Sequence, residues 1–176
     1  MSSLTDHLVG LTNPREREAL DLAFANALMD MLEPVSVAIY GVVNDEFGHQ
    51  IGDEVLILVG RILKKSFRGS DRIYRFGGEE FVVLVRVSDD EMALDVGERF
   101  RKQMESFKFA QVGRLTASVG LAEIRAGDSP TTVCAKADQA VYFAKKNGRN
   151  RVCNHSDLVR QGLLQSEAKV SEVDLF

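Results

Sequence analysis

The chain contains 176 residues, a length that suits one compact domain and is short for two. Because 45% of its residues are hydrophobic and 27% are charged, the composition excludes a disordered, collagen-like or low-complexity protein. A formal net charge of −4 gives no general attraction for nucleic acid polymers or anionic membranes, so a phosphate-bearing ligand must be held by a local group of cations.

The first part of the chain predicts a helix, a buried strand and a second helical region. Residues 14–31 have apolar side chains at helical spacing, and Pro34 then ends the helix. The apolar run over 35–40 is rich in β-branched residues and is typical of a buried strand that ends near its last residue. Over 44–67 an early helical turn is interrupted at Gly48, and a longer amphipathic helix follows it.

A predicted hairpin turn is the strongest local sign of chemistry. The β-type segments 71–76 and 81–87 are separated by Gly77-Gly78-Glu79-Glu80, which indicates a hairpin with an acidic, glycine-containing turn. Glycines let a backbone come close to a ligand, and Mg²⁺ binds one or two carboxylates together with phosphate oxygens. The turn therefore suits metal-bridged nucleotide chemistry, and an exposed hairpin with solvated glutamates is the alternative that its spacing leaves open.

The remaining segments are two helices and two strands. We assign the helices to 88–107 and 131–146, and the strands to 114–124 and 151–154. Ser88, with Glu91 three positions later, is typical of a capping box, and Asn147-Gly148 ends the second helix. This order of elements predicts an α/β (α+β) sandwich in which helices flank one mixed, mainly antiparallel sheet, with 151–154 as an edge strand.

We expect three parts along the chain and a cytoplasmic location. Residues 14–155 form the domain, 1–13 precede it, and 156–176 form a polar C-terminal tail or a frayed helix with few apolar side chains. The two cysteines, Cys134 and Cys153, show neither a disulfide framework nor a zinc pattern, which favours a reducing compartment. No signal peptide or membrane span is expected in this segment.

Five ordered motifs, which cover roughly 150 residues, make the chain resemble the GGDEF family of diguanylate cyclases. They are 6–13, 44–49 with 52–54, 77–81, 116–120, and a last group at 137–138, 140–142, 144–145 and 148–150. The resemblance implies a nucleotide-cyclase-like fold and the condensation of two GTP molecules into cyclic di-GMP and pyrophosphate. Each domain would hold one GTP, so catalysis would need a homodimer.

The resemblance also implies roles for individual residues of the catalytic site. Glu79 and Glu80 match the metal-binding and catalytic carboxylates for Mg²⁺ or Mn²⁺, and Gly77 and Gly78 complete their turn. Asn44 and Asp53 match the residues that bind guanine, with helix capping as the alternative. Lys145 and Arg149 match the family's phosphate-binding pair, with a solvated helix C-terminus as the alternative.

A second site is implied by Arg68-Gly-Ser-Asp71, which resembles the family's Arg-x-x-Asp site for inhibition by the product. Arg99 lies where the family often supplies a further arginine. The planar guanidinium suits bidentate binding of guanine or phosphate. The alternative is a surface ion pair between Arg68 and Asp71, which would contribute little by itself.

The chain departs from the family after its first predicted strand. Family members usually carry Asp-x-Asp-x-Phe-Lys there, and its first Asp is a metal ligand, whereas this chain has no acidic residue between Glu33 and Asp45. If the strand ends near Tyr40, Gly41 occupies the place of that Asp. Three hypotheses follow: an active cyclase, a non-catalytic receptor for cyclic di-GMP or GTP, and a dimerisation module without a ligand. The retained turn, phosphate-binding pair and Arg-x-x-Asp motif favour the first.

Overall fold

The computed structural model describes residues 36–43, 53–69, 71–77, 80–110, 112–125 and 128–165. The predicted helix over 14–31, the interrupted turn around Gly48, and the hairpin residues Gly78 and Glu79 lie outside the described residues.

The described residues contain seven strands and four helices. They are β1 (Ser36–Val43), α1 (Asp53–Ser66), β2 (Arg72–Gly77), β3 (Glu80–Arg86), α2 (Asp90–Ser106), β4 (Lys108–Phe109), β5 (Gly113–Arg114), β6 (Ala117–Glu123), α3 (Pro130–Lys146), β7 (Val152–Asn154) and α4 (His155–Arg160). Among these residues, no helix is long and apolar enough to cross a membrane.

Five strands form the main sheet in the order β2-β3-β1-β6-β7. The first three pairings are antiparallel, and β6 pairs with β7 in parallel. Strand β7 lies at one edge, and β4 and β5 form a separate two-stranded ribbon. The predicted mixed, mainly antiparallel sheet and its last edge strand are therefore confirmed.

Helices cover both faces of this sheet. Side chains from α1, α2, β3 and β6 form the main apolar cluster, in which Phe81 and Leu121 are fully buried. Because strand side chains alternate between faces, Gly120 faces the opposite side, where α3 packs. Every residue over 81–85 is buried, as expected for a strand with both faces covered. The predicted α/β sandwich is confirmed.

Three sequence predictions were wrong in detail. Strand β1 does not end near Tyr40, because hydrogen-bonded pairing with β3 and β6 on its two sides carries it through Gly41 to Val43. Ser88 does not cap α2; the neighbouring Asp89 does, since its carboxylate accepts a 2.8 Å hydrogen bond from the Met92 N–H.

The third correction concerns the predicted strand over 114–124. Its start, Gly113–Arg114, pairs with β4 in the ribbon, and only Ala117–Glu123 belongs to the main sheet. After β7, the chain continues directly into α4, which Asn154 caps through a 3.0 Å hydrogen bond from the Ser156 N–H. Leu158 of α4 is buried.

Candidate functional site

Helix α3 lies very close to β6 because the strand has a glycine beneath it. A Cβ atom at Gly120 would stand 2.2 Å from the carbonyl oxygen of Ala137 and 2.7 Å from the Val141 nitrogen, so any side chain there would displace the helix. The glycine that ends the motif over 116–120 therefore sets the height of α3 above the sheet. It also sets the position of every polar residue that α3 carries.

Glu80 is the first residue of β3 and follows the acidic turn. Its backbone pairs with Gly77 on β2 and with Val42 on β1, and the ladder between β2 and β3 shifts register between Arg75 and Gly77. Such an irregularity bends a strand and is common beside functional sites. The side chain of Glu80 is half-buried. Backbone pairing on both sides thus fixes the position of Glu80 at the end of the hairpin.

Asp138 lies on α3 and is influenced by charges from the end of the hairpin and from the last turn of its own helix. The side chain is exposed, yet the protein atoms around it partly remove its water and raise its pKa. The negative charge of Glu80 raises this pKa further, and the positive charge of Lys145 opposes the shift. Asp138 therefore responds to charges from two elements, β3 and its own helix α3, that lie on different parts of the chain.

Asp138 was not among the predicted site residues. It is seven residues before Lys145, which is two turns of helix, so the two side chains share one face of α3. That spacing is visible in the sequence. Its meaning depends on the packing of α3 beside the end of β3, which periodicity alone does not reveal.

A cavity of about 230 Å³ lies beside this face of α3. Its lining consists of Asp138, Gln139, Val141, Tyr142, Lys145 and Leu164. Tyr142 is 62% exposed, and the Lys146 ammonium group stands 5.4 Å from the centre of its ring. Lys145 and Asp138 thus border open space that a ligand can enter.

Arg149 lies beyond the end of α3, on a left-handed turn. Gly148, Arg149 and Asn150 have φ angles of 109°, 59° and 44°. The Arg149 N–H donates a 2.8 Å hydrogen bond to the carbonyl oxygen of Ala144, which closes the turn against the helix. The side chain is exposed. Lys145 and Arg149 are four residues apart, but they are presented by a helix and by the turn after it.

The two residues predicted to bind guanine are only partly described. Asp53 is the first residue of α1, and its backbone alone is described. Asn44 lies outside the described residues. Position 53 is compatible with base binding and with helix capping, so the sequence-based alternatives for this pair stay open.

The predicted inhibition site is brought together at the end of α1. The Asp71 carboxylate accepts a 2.7 Å hydrogen bond from the backbone N–H of Arg68, and the Asp71 N–H donates to the Arg68 carbonyl at 3.0 Å. Arg99 of α2 donates to the carbonyl oxygen of Ser66, two residues before Arg68, with its Nε at 2.8 Å. All three predicted residues therefore border one short segment.

The side chain of Arg68 is not used for an ion pair within the described part of the chain. Asp71 contacts the backbone of Arg68, and the exposed guanidinium has no hydrogen bond or ion pair with a described residue. The alternative of a surface ion pair between Arg68 and Asp71 is therefore wrong. The Asp71 carboxylate instead binds the backbone of the turn, so it does not occupy the Arg68 guanidinium.

Metal-binding groups among the described residues are few. No cluster of three or more His, Cys, Asp or Glu side chains is found in the described ranges, which omit Glu79. Glu80 and Asp138 supply hard oxygen donors whose charges act on each other. Mg²⁺ takes one or two carboxylates when phosphate oxygens complete its shell, so the chemistry of these side chains fits that ion.

Comparisons with known proteins agree with this architecture. Residues 3–151 match the profile of the family described as "Diguanylate cyclase, GGDEF domain". Diguanylate cyclase DgcP of Pseudomonas aeruginosa is 35% identical over 158 residues, which make up 85% of this chain and 24% of that protein. Response regulator PleD of Caulobacter vibrioides is 36% identical over 162 residues, 85% of this chain and 36% of that protein.

Solved structures resemble the fold as well. The active GGEEF domain of a diguanylate cyclase from Vibrio cholerae superposes with a TM-score of 0.68 at 28% identity, and the match covers 78% of this chain and 95% of that one. The GGDEF domain of DgcB from Caulobacter crescentus in complex with c-di-GMP gives a TM-score of 0.67 at 27% identity over 80% and 88%. This chain spans about a quarter to a third of the two curated relatives.

Proposed function

The chain belongs to the GGDEF family of diguanylate cyclase domains, and from this premise we propose that it is itself an active cyclase. It condenses two GTP molecules into cyclic di-GMP and releases pyrophosphate. The turn that reads Gly-Gly-Glu-Glu-Phe over 77–81 is then a functional variant of the family's turn. The fragment over 14–155 carries the activity, and the segment over 156–176, whose first residues belong to α4 and include the buried Leu158, is accessory to it.

The observation that carries the proposal is that Asp138 and Lys145 line one cavity and that the charges of Glu80 and Lys145 both act on the Asp138 carboxylate. A nucleotide triphosphate needs cations for its oxygens and carboxylates for the metal ion that travels with it. The charges of Glu80, at the start of β3, and of Lys145, on α3, both influence the Asp138 carboxylate. This mutual influence supports one site that includes the end of the hairpin and the cavity beside α3.

The proposed metal is Mg²⁺, or Mn²⁺ in its place, held by Glu79 and Glu80 with Asp138 close by. The ion, when bound, neutralises phosphate charge and polarises the phosphoryl group that is attacked. Asp138 supplies a carboxylate from α3 in a chain that has no acidic residue between Glu33 and Asp45, where the family usually carries a metal-binding Asp. A cation bound at this site would offset the repulsion between the Asp138 and Glu80 carboxylates.

The remaining residues bind and orient the substrate. Lys145 and Arg149 hold the terminal phosphates, and Asn44 and Asp53 bind the guanine edge. Two such domains face each other as a homodimer, so that each 3′-hydroxyl attacks the α-phosphorus of the other nucleotide. The protein forms no covalent intermediate with the substrate in this arrangement. Positioning of the two nucleotides and neutralisation of their phosphate charge therefore supply most of the rate acceleration.

Product inhibition is the proposed role of Arg68, Asp71 and Arg99. The Arg68 side chain, which has no ion pair with Asp71, supports this role, because a surface arginine already paired with Asp71 would have to give up that partner to bind a ligand. Cyclic di-GMP offers guanine N7 and O6 atoms and phosphate oxygens, all acceptors for arginine. The Caulobacter crescentus relative named above was solved with this nucleotide.

A second candidate function is a receptor that binds cyclic di-GMP or GTP without turnover. The course of β1 favours it: the strand continues through Gly41 to Val43, and neither this strand nor the residues flanking it, between Glu33 and Asp45, supply a carboxylate. A site with fewer metal ligands binds its cation less tightly. Such a domain would keep the nucleotide contacts and lose the chemical step.

The two functions are separated by a product assay. The purified protein is freed of bound nucleotide, incubated with GTP and either Mg²⁺ or Mn²⁺, and the products are identified by chromatography with mass detection. We expect cyclic di-GMP from the natural chain and none above background from Glu80→Ala. Equal product from that variant would remove Glu80 from the site. No product from either protein, with cyclic di-GMP among the stripped ligands, would establish the receptor instead.

A further inference from the structure

Side chains of α2 hold the left-handed turn that carries Arg149. Arg101 Nη1 donates a 2.9 Å hydrogen bond to the side-chain oxygen of Asn150, the next residue after Arg149. The side-chain nitrogen of Asn150 donates a 2.9 Å hydrogen bond to Glu105 Oε1. Both ends of the Asn150 amide are thus bound by one helix, which fixes the orientation of the amide.

Arg101 and Glu105 are themselves held in place. Arg101 binds Glu98 through its Nε at 3.1 Å and its Nη2 at 3.0 Å, and its Nη1 lies 3.0 Å from Glu105 Oε2. The Arg101 side chain is only 13% exposed. Because Glu98 and Glu105 lie three residues before and four residues after Arg101, the helix itself places all three side chains on one face. We call these residues, with Asn150, the Asn150 cluster.

The charged side chains of the Asn150 cluster keep their ionisation states near neutral pH. Hydrogen bonding to Glu98 is the largest cause that raises the pKa of Arg101. The hydrogen bond from Asn150, followed by that from Arg101, lowers the pKa of Glu105. Arginine therefore stays protonated and Glu105 stays ionised, so the donor and acceptor pattern that holds Asn150 does not change in this range.

The turn needs such outside contacts. Arg149 and Asn150 are not glycines, yet both have φ in the left-handed region, at 59° and 44°. An L residue pays a steric cost there, and such a conformation persists only where the surrounding structure holds it. The Arg149 N–H bond to Ala144 holds the turn on the α3 side, and the Asn150 cluster holds it on the α2 side.

We propose that Arg101 and Glu105 are positioning residues for Arg149, acting through Asn150. By fixing the turn, they fix the point from which the Arg149 side chain reaches the nucleotide phosphates. The inference rests on the proposed function, in which Arg149 binds those phosphates. Neither Arg101 nor Glu105 has to touch the nucleotide.

The first test uses the protein without nucleotide. Amide hydrogen exchange of the Arg149 N–H is measured in the natural chain, in Asn150→Ala and in Arg101→Met. We expect faster exchange at Arg149 in both variants and unchanged exchange in β6, because only the turn loses its support. Lys102→Met is the control, since Lys102 is the exposed neighbour of Arg101 and has no hydrogen bond or ion pair with a described residue. Unchanged exchange at Arg149 in both variants would overturn the inference.

The second test separates positioning from general stability. Calorimetry compares the affinities for a non-hydrolysable GTP analogue and for GMP, which lacks the terminal phosphates. We expect Asn150→Ala to weaken binding of the analogue by about tenfold to a hundredfold and to leave GMP binding nearly unchanged. Equal losses for both nucleotides would mean that the cluster acts on the whole fold.

A double variant shows whether Asn150 acts through Arg149. If it does, Asn150→Ala causes no further loss of analogue binding when Arg149 is already alanine, because coupled residues are not additive. Additive losses would contradict the inference. If the natural chain bound no GTP analogue at all, the proposed function and the role of Arg149 within it would fail together. An unchanged Arg149 amide, in contrast, would refute the inference alone.

Discussion

Replacement of Gly120 by alanine tests whether the height of α3 above β6 sets the site. A real Cβ atom stays at least about 3.0 Å from a backbone oxygen, whereas the new methyl would start 2.2 Å from the Ala137 carbonyl. The helix or the strand must therefore move by about 0.8 Å, the difference between the two distances. Ala137 is adjacent to Asp138, and Val141 is one turn before Lys145, so the shift reaches both charged residues.

Two opposing free-energy terms decide the stability of Gly120→Ala. Overpacking costs about 1–3 kcal/mol, and the alanine recovers at most about 1 kcal/mol by restricting the unfolded chain. A net loss is expected, and each kcal/mol lowers the melting temperature of a chain of this size by about 2–4 °C. Because a displacement near 1 Å can reduce turnover about a hundredfold, we expect the rate of cyclic di-GMP formation to fall far more than the loss of folded protein explains.

Thermal unfolding and the product assay, both at a temperature where the variant is folded, measure these effects. Gly69→Ala is the matched control for stability, since a Cβ there meets nothing within 4 Å, and its unfolding should change by no more than about 0.5 kcal/mol. Natural turnover by a clearly destabilised Gly120→Ala protein would refute the link between the height of α3 and the site. Natural stability would refute the steric argument itself.

Two further predictions concern Arg68 and Asp138. Arg68→Ala should raise the concentration of cyclic di-GMP needed for half inhibition by about tenfold or more and leave the initial rate unchanged, with Arg125→Ala as the control; unaltered inhibition would place product binding elsewhere. Asp138→Asn should make the metal-free protein more stable at pH 7 and equally stable below about pH 4. The folded chain holds the Asp138 proton more tightly than the unfolded chain, so stability falls as pH rises through the window above the ordinary aspartate pKa. Chemical unfolding at several pH values measures this difference, and parallel curves for the two proteins would contradict it.

The sequence predicted the sheet and its covering helices because periodicity reports which faces are buried. The helical spacing in α2 and α3 survives in the structure, whereas β3 and β6 are buried along almost their whole length because helices cover both faces of the sheet. Boundaries were less predictable. Gly41 looked like the end of β1, but a central strand with partners on both sides tolerates a glycine, since each partner holds its backbone.

The other differences between the sequence prediction and the structure have two causes. Neighbouring residues compete to cap the same helix, and some contacts join elements that are far apart in the chain. Ser88 and Asp89 are adjacent and both are good helix caps, so only the structure shows which one accepts the Met92 N–H. The roles of Asp138 and Asn150 depend on contacts between elements that are far apart in the chain. The family motifs include both Asp138 and Asn150, but they do not show what these side chains contact. The packing of α2 and α3 determines those contacts.

The central claim is that Glu80 and Lys145 serve one metal-bound triphosphate. Calorimetric titration with a non-hydrolysable GTP analogue, with and without Mg²⁺, tests it most directly in the natural chain, in Glu80→Gln, in Lys145→Met and in the double variant. We predict that Mg²⁺ strengthens binding to the natural chain, that each single change weakens it by about tenfold or more, and that the two losses are not additive. Binding that ignores Mg²⁺, or losses that simply add, would show that the two side chains act in separate places.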